Sequence, residues 1–294
     1  MTIADQDRDN VSVSARKAGR RRAGQLFPNL VAVLVLFVMF FPFVWMFLSS
    51  LKTNLAIFTR PPVWLPPTIT FEHYRALWDL TQFPRYLINT FVVAGSAVAV
   101  GVSVALAAVY SISRFKFMAQ DKFTFLVLTI YMMPPILLAI PIFGIWFRLG
   151  WTNSLAGLMF TYLILTLPFS VWILRPYLET IPRELEEAAM VDGCTRFRAF
   201  RKVIIPQAIP GIITASVFTF VLAWNELLYA LVLISDEGKR TISLGIAQLI
   251  LEQSIFSWGM VNAAGVAATV PVLLLFILVS RRMVAGLTQG GVKG

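Results

Sequence analysis

Histidine and cysteine are nearly absent: His73 and Cys194 are the only ones in 294 residues. A single thiol excludes an internal disulfide and any multi-cysteine metal site. One histidine and one cysteine also cannot supply a metal cluster, or a nucleophile with its activating base. No G-x-x-x-x-G-K-[ST] loop occurs, so the chain has no nucleotide site of that kind. Charge is scarce too, at 14% of residues. Glu226 is the one carboxylate well inside an apolar stretch, whereas a membrane-embedded transferase would need convergent acids or a metal. The sequence therefore gives no catalytic residue, no metal ligand and no cofactor bound by the chain itself. His73, on a polar-edged outer segment, reads as a surface residue.

Hydrophobic sequence fills the space these absences leave. Apolar residues make up 58% of the chain and the mean hydropathy is +0.76, the composition of an all-α polytopic membrane protein. Six stretches have about the 17–25 residues that cross a bilayer core: Leu30–Leu51, Leu87–Ser111, Thr124–Trp146, Ser154–Leu174, Gly211–Ser235 and Asn262–Ser280. They form a span domain over residues 30–285. It follows a polar head, residues 1–29, whose first part is expected to be disordered, and precedes a tail, residues 286–294. The basic run Arg16, Lys17, Arg20, Arg21, Arg22 before apolar sequence has the outline of a signal peptide. The stretch after it is too long for one and lacks a small-residue cleavage site.

Orientation follows from lysine and arginine. Of 25 such residues, eighteen lie in the head, residues 112–123, residues 175–210 and the stretch 281–294 after the last span. By the positive-inside rule these segments are cytoplasmic, with both termini inside. The net charge of +10 is explained by this topology and calls for no nucleic acid.

The segment 181–211 is a densely charged stretch between two apolar spans. Pro182 suits a first helical position, and Glu184, Glu186 and Glu187 face the positive end of the helix dipole. Leu185, Ala188, Ala189 and Asp192 share one face. Gly193 suits a left-handed helix end, and Thr195 can cap a second helix. There Phe197, Phe200 and Ile204 make an apolar stripe that can fill a pocket, and Pro206 and Pro210 end the helix. On this chemistry alone the segment either docks into a partner or lies on lipid headgroups.

Elsewhere, Pro61, Pro62, Pro66 and Pro67 make an extended outer linker. Thr70 then caps a short amphipathic helix carrying Phe71, Tyr74, Leu77 and Trp78. Prolines 134, 135, 141 and 168 predict bends in the third and fourth spans. In the fifth span, Glu226 must face the bundle interior or water, because an ionised carboxylate in hydrocarbon costs roughly 3 kcal/mol. It is either a cavity wall that meets solute, with Asn225 beside it and Trp224 or Tyr229 as an aromatic platform, or a polar clasp between helices.

Glu187-Ala188-Ala189, Gly193 six residues after the glutamate, and Val203, Ile205 and Pro206 together resemble the EAA signature of binding-protein-dependent ABC importer permeases. Val203 and Ile205 replace the usual Ile and Leu, and Cys194 stands where a small residue is common. The Trp224-Asn225-Glu226 stretch is similar to sugar permeases. Gly286 to Gly294, with Gln289, Gly290 and Gly291, resembles the end of the second permease of maltose-type importers. The resemblance implies a type I importer permease fold with the 181–211 loop docked in an ATPase cleft. It implies further that the tail reaches towards the ATPase interface and that this chain forms half of a pore. The implied partners are a homologous second permease, two cytoplasmic ATPase subunits that bind ATP and Mg, an extracytoplasmic sugar-binding protein, and membrane lipid. Rival readings are a permease for another polar solute such as a glycerol phosphodiester, and a proton-coupled secondary transporter in which Glu226 titrates.

Overall fold

The computed structural model describes residues 28–115, 132–251 and 257–290, with Phe125 and Thr129 between the first two stretches. Nearly all of the expected head 1–29, and the start of the expected third span, lie outside the described residues. In chain order the main helices are α1 Pro28–Ser50, α2 Glu72–Asp79, α3 Phe83–Arg114, α4 Pro135–Arg148 and α5 Leu155–Glu179. They continue as α6 Arg183–Val191, α7 Arg196–Trp224, α8 Leu228–Leu233, α9 Ile242–Leu251 and α10 Ser257–Gly290. Helix satisfies its own backbone polar groups, and this is what a chain in hydrocarbon requires.

Among the described residues, five helices are long and apolar enough to cross a membrane: α1, α3, α5, α7 and the Trp258–Ser280 part of α10. Four of the six expected spans coincide with α1, α3, α5 and α10. The third differs. Pro134 is extended, with ψ 125°, and α4 starts at Pro135 instead of continuing from Thr124. The residue before a proline avoids the helical region, so consecutive prolines at 134 and 135 force this start.

The fifth differs more. Gly211–Ser235 is not one helix, because α7 stops at Trp224 and α8 starts at Leu228. At its other end α7 runs through Pro206 and Pro210, which were expected to end it. A π-helical turn over Phe200–Ile204 widens the backbone just before Pro206, so the missing donor and the ring clash are absorbed without a break.

α3, α5 and α7 form the centre of the bundle, with two apolar cores stacked along them. One gathers Val109, Leu174, Leu178 and Ile204 near the 181–211 segment. The other gathers Val93, Trp146, Leu158, Tyr229 and Leu233 towards the opposite end. A third core joins α2, α3, α9 and α10 through Leu77, Phe83, Trp224, Ile242 and Ala263. The ends of the bundle opposite the charged segment are tied by Asn153. Its Oδ1 accepts from the backbone N–H groups of Ser235 and Asp236, at 3.2 and 2.9 Å.

His73 is not a surface residue. It is 2% exposed, and its Nε2 lies 2.8 Å from the carbonyl oxygen of Lys52. The reason is a hollow that sequence periodicity does not show: Gly259 of α10 presents no side chain where the imidazole sits. α2 therefore turns His73 and Leu77 inward and leaves Phe71 and Trp78 mostly exposed, splitting the expected apolar face. Thr70 Oγ1 accepts from Glu72 N–H at 3.2 Å, one residue before the position of a regular cap.

Candidate coupling surface and central cleft

The 181–211 segment folds as helix, turn and helix. Pro182 stands just before the first helical residue, one position earlier than its chemistry predicts. Gly193 takes φ +84°, the left-handed conformation that stops α6. Thr195 caps α7, its hydroxyl oxygen accepting from Arg198 N–H at 3.3 Å.

α6 has two different faces. Leu185, Glu187, Ala188, Val191 and Asp192 are exposed, and Ala189 is half-buried at the edge. Phe197, on the first turn of α7, is 69% exposed beside them. This is an apolar surface that the described residues leave uncovered, with Glu187 in it. Phe200 does not belong to it. Its ring lies 4.5 Å from that of Tyr110, against the core between α3, α5 and α7, so it is a packing residue. Pro206 is helical and lies two residues beyond the widened turn Phe200–Ile204.

The inner face of α6 is carried by a residue that periodicity had assigned only to the helix dipole. Glu186 is 4% exposed. Its Oε2 is 3.1 Å from Nε of Arg114, an ion pair angled away from the N–H axis. Its Oε1 accepts from the Tyr110 hydroxyl at 2.5 Å. Glu186, Ala189 and Met190, at i, i+3 and i+4, form the least exposed face of the helix. A charge at a core position needs buried partners, and Arg114 and Tyr110 supply them.

The second candidate region is a cleft of about 380 Å³ between α4, α5, α7 and α8, walled by Pro135, Leu138, Tyr162, Pro168, Glu226 and Tyr229 among others. Glu226 and Tyr229 share a wall of this cleft. Trp224 is elsewhere: it is 2% exposed, packed edge-on to Phe91 at 4.9 Å and stacked on Phe220 at 5.2 Å. Asn225 is exposed, and its side-chain N–H group donates to the Val221 carbonyl at 2.8 Å, closing the end of α7.

Glu226 fills the helix break that its own position creates. Oε1 accepts from Tyr229 N–H at 2.9 Å and Oε2 from Ala230 N–H at 3.2 Å. It thus satisfies two of the donors orphaned at the start of α8, next to the positive end of that helix. The Tyr229 hydroxyl donates to the Pro135 carbonyl at 2.7 Å and that of Tyr162 to the Glu226 carbonyl at 3.3 Å. The polar groups on this wall are thus already engaged with backbone. Among the described residues no cluster of His, Cys, Asp and Glu is placed to hold a metal. Of the tail residues, Gln289 and Gly290 continue the backbone helix of α10, and Gly291 lies outside the described residues.

The family model described as "Binding-protein-dependent transport system inner membrane component" matches residues 97–289, a range that contains both regions. The chain belongs to this family. It is a membrane-spanning permease subunit of an ABC importer. This inner membrane component is 37% identical over 273 residues to the diacetylchitobiose uptake system permease protein DasC of Streptomyces coelicolor, covering 92% of this chain and 98% of that one. It is 35% identical to the trehalose/maltose transport system permease protein MalG of Thermococcus litoralis, with 90% and 95% covered. The sulfoquinovosyl glycerol transport system permease protein SmoH of Agrobacterium fabrum is 36% identical, with 86% and 89% covered. The permease also shares its fold with a chain in the crystal structure of a bacterial ABC transporter involved in the import of the acidic polysaccharide alginate. That match has a TM-score of 0.76 at 22% identity and covers 88% of this chain and 97% of the other.

Proposed function

We propose that this permease forms half of the membrane pathway of an ATP-driven importer for a di- or oligosaccharide, with both termini and the α5–α7 turn in the cytoplasm. A homologous second permease completes the pathway. Two cytoplasmic ATPase subunits bind the ATP and Mg that this chain has no motif to hold, and an extracytoplasmic binding protein delivers the sugar. The observation that carries the reading is the two-faced helix α6. Its inner face is fixed to the bundle through Glu186, and its outer face presents Leu185, Glu187, Ala188 and Val191 uncovered beside Phe197. Small residues there admit close approach, and the exposed phenylalanine can enter a pocket of the partner. In this arrangement closure of the ATPases pushes α6, and the push reaches the bundle through α5 and α7.

The relatives support a sugar cargo, since their names specify diacetylchitobiose and trehalose or maltose. The relative named for sulfoquinovosyl glycerol favours a second reading, a sugar glycoside with a glycerol group. Purification in mild detergent, with identification of the co-purifying proteins, tests the assembly. Reconstitution with those proteins in liposomes and uptake of labelled sugars tests the function. ATP on the side of the ATPases should be required, and the binding protein should set which sugar enters. Uptake that needs no ATPase but collapses with a proton uncoupler would overturn the importer in favour of a secondary transporter.

A further inference from the structure

α6 carries a charged group that its docking surface does not use. Glu184 and Glu187 are exposed, but Glu186 is enclosed between three helices. Its carboxylate meets Arg114 at the last residue of α3 and the Tyr110 hydroxyl one turn earlier on that helix. Arg196, the first residue of α7, brings its Nε to 4.0 Å from the same carboxylate, and its guanidinium lies over the Phe115 ring at 4.9 Å. Two further bonds cross the same seam. Arg114 Nη2 donates to the Ile181 carbonyl at 2.9 Å, and Arg183 Nη2 donates to the Ser113 carbonyl at 2.6 Å.

α3 is not a chain neighbour of α6. Any force that reaches it from α6 along the backbone must first pass through α5 or α7 and their side-chain packing. The seam provides a direct route. Stability alone does not explain its composition, since an apolar cluster of similar volume would hold the helices at least as well as a desolvated ion pair. A buried carboxylate that takes a short bond from the Tyr110 hydroxyl and pairs with a guanidinium resists sliding more than apolar contacts do, because displacement would leave its charge without a partner. We infer that Glu186 is the positioning residue of a rigid joint, locked to Arg114 and Tyr110, that makes α3 move with the docking helix during transport.

This joint rests on the importer reading, and its test keeps the two apart. The complete complex is reconstituted from wild type, Glu186→Gln and the milder Tyr110→Phe, and ATP hydrolysed per sugar imported is measured. Spin labels at Glu184→Cys on α6 and Ser111→Cys on α3, in a Cys194→Ser background, report the spacing of the two helices with and without ATP. The wild type should couple tightly and keep one spacing in both states. Glu186→Gln should hydrolyse ATP at a similar rate, import roughly fivefold less sugar per ATP or worse, and show a broadened spacing with ATP. Tyr110→Phe should shift both readouts in the same direction by less. An unchanged ratio and spacing in both variants, or uptake and hydrolysis falling together with melting temperature, would reduce Glu186 to a structural contact. A wild-type complex without ATP-driven uptake would instead remove the importer reading, and the joint with it.

Discussion

The His73 ring occupies the space in which a side chain on Gly259 would stand: a Cβ built there lies 2.1 Å from the nearest ring atom. The imidazole is rigid and hydrogen-bonded to the Lys52 carbonyl, so it cannot yield as a flexible chain end would. Gly259→Ala should therefore destabilise the permease by about 1–3 kcal/mol, the usual cost of overpacking. His73→Ala in the same chain should recover much of that loss. Thermal unfolding in detergent of the two single variants and the double variant measures the coupling directly.

Lys52 makes the other contact at that corner. Its Nζ donates to the Val63 carbonyl at 2.6 Å and lies 4.2 Å from the Trp45 ring centre, tying the outer linker to the end of α1. Burial pushes its ammonium below the ordinary lysine value of 10.5, so the proton is lost at a lower pH than from an exposed lysine. Lys52→Met should change overall stability by no more than about 1 kcal/mol, because relief of desolvation offsets the lost bond. The linker should nevertheless loosen. Chymotryptic cleavage at the exposed Trp64 should speed up in the variant, and in the wild type as pH rises towards that lowered value. Equal cleavage rates in both proteins across that range would show that the lysine is not the tether.

Hydropathy and turn chemistry made most of this fold legible. Four spans, the stop at Gly193, the Thr195 cap and the two-helix segment follow from residue types whose effect is local. What stayed hidden depends on neighbours distant in sequence. His73 looks like a surface residue until Gly259, far along the chain, provides its seat. Glu186 looks like one more acidic residue in a first turn until Arg114 and Tyr110 reach it from α3. The fifth span looks continuous because its apolar run is unbroken, and hydropathy cannot register that Glu226 satisfies the backbone donors a break exposes. Trp224 was grouped with Glu226 by adjacency, yet successive residues at the end of a helix point in different directions.

Gly193 separates space from conformation. Among the described residues nothing lies within 4 Å of a Cβ there, so a side chain fits, but φ +84° is unfavourable for any residue with one. Gly193→Val should cost roughly 1–2 kcal/mol at the turn, and Gly193→Asn clearly less, since asparagine tolerates the left-handed region. The reconstituted complex should register the strain as transport loss at near-normal protein yield, with Asn ranking between Gly and Val. Glu187→Lys, which alters the exposed face and leaves the turn intact, should reduce uptake per ATP without lowering the melting temperature. Wild-type uptake and ATPase stimulation in Gly193→Val and Glu187→Lys would detach transport from this segment.

Glu226 allows its two sequence-level roles to be distinguished. As the cap of α8 it accepts from Tyr229 and Ala230 N–H groups, and loss of such a cap typically costs about 0.5–2 kcal/mol. Glu226→Gln keeps one acceptor oxygen and should lower the melting temperature slightly. Glu226→Ala keeps none and should lower it further, with Tyr229 and the wall of the cleft loosening together. In both variants the sugar concentration for half-maximal uptake should stay near that of the wild type, because both carboxylate oxygens are already engaged with backbone. A severalfold change in that concentration in Glu226→Gln, with melting unaltered, would mean that the carboxylate meets the sugar and that the capped state opens during transport.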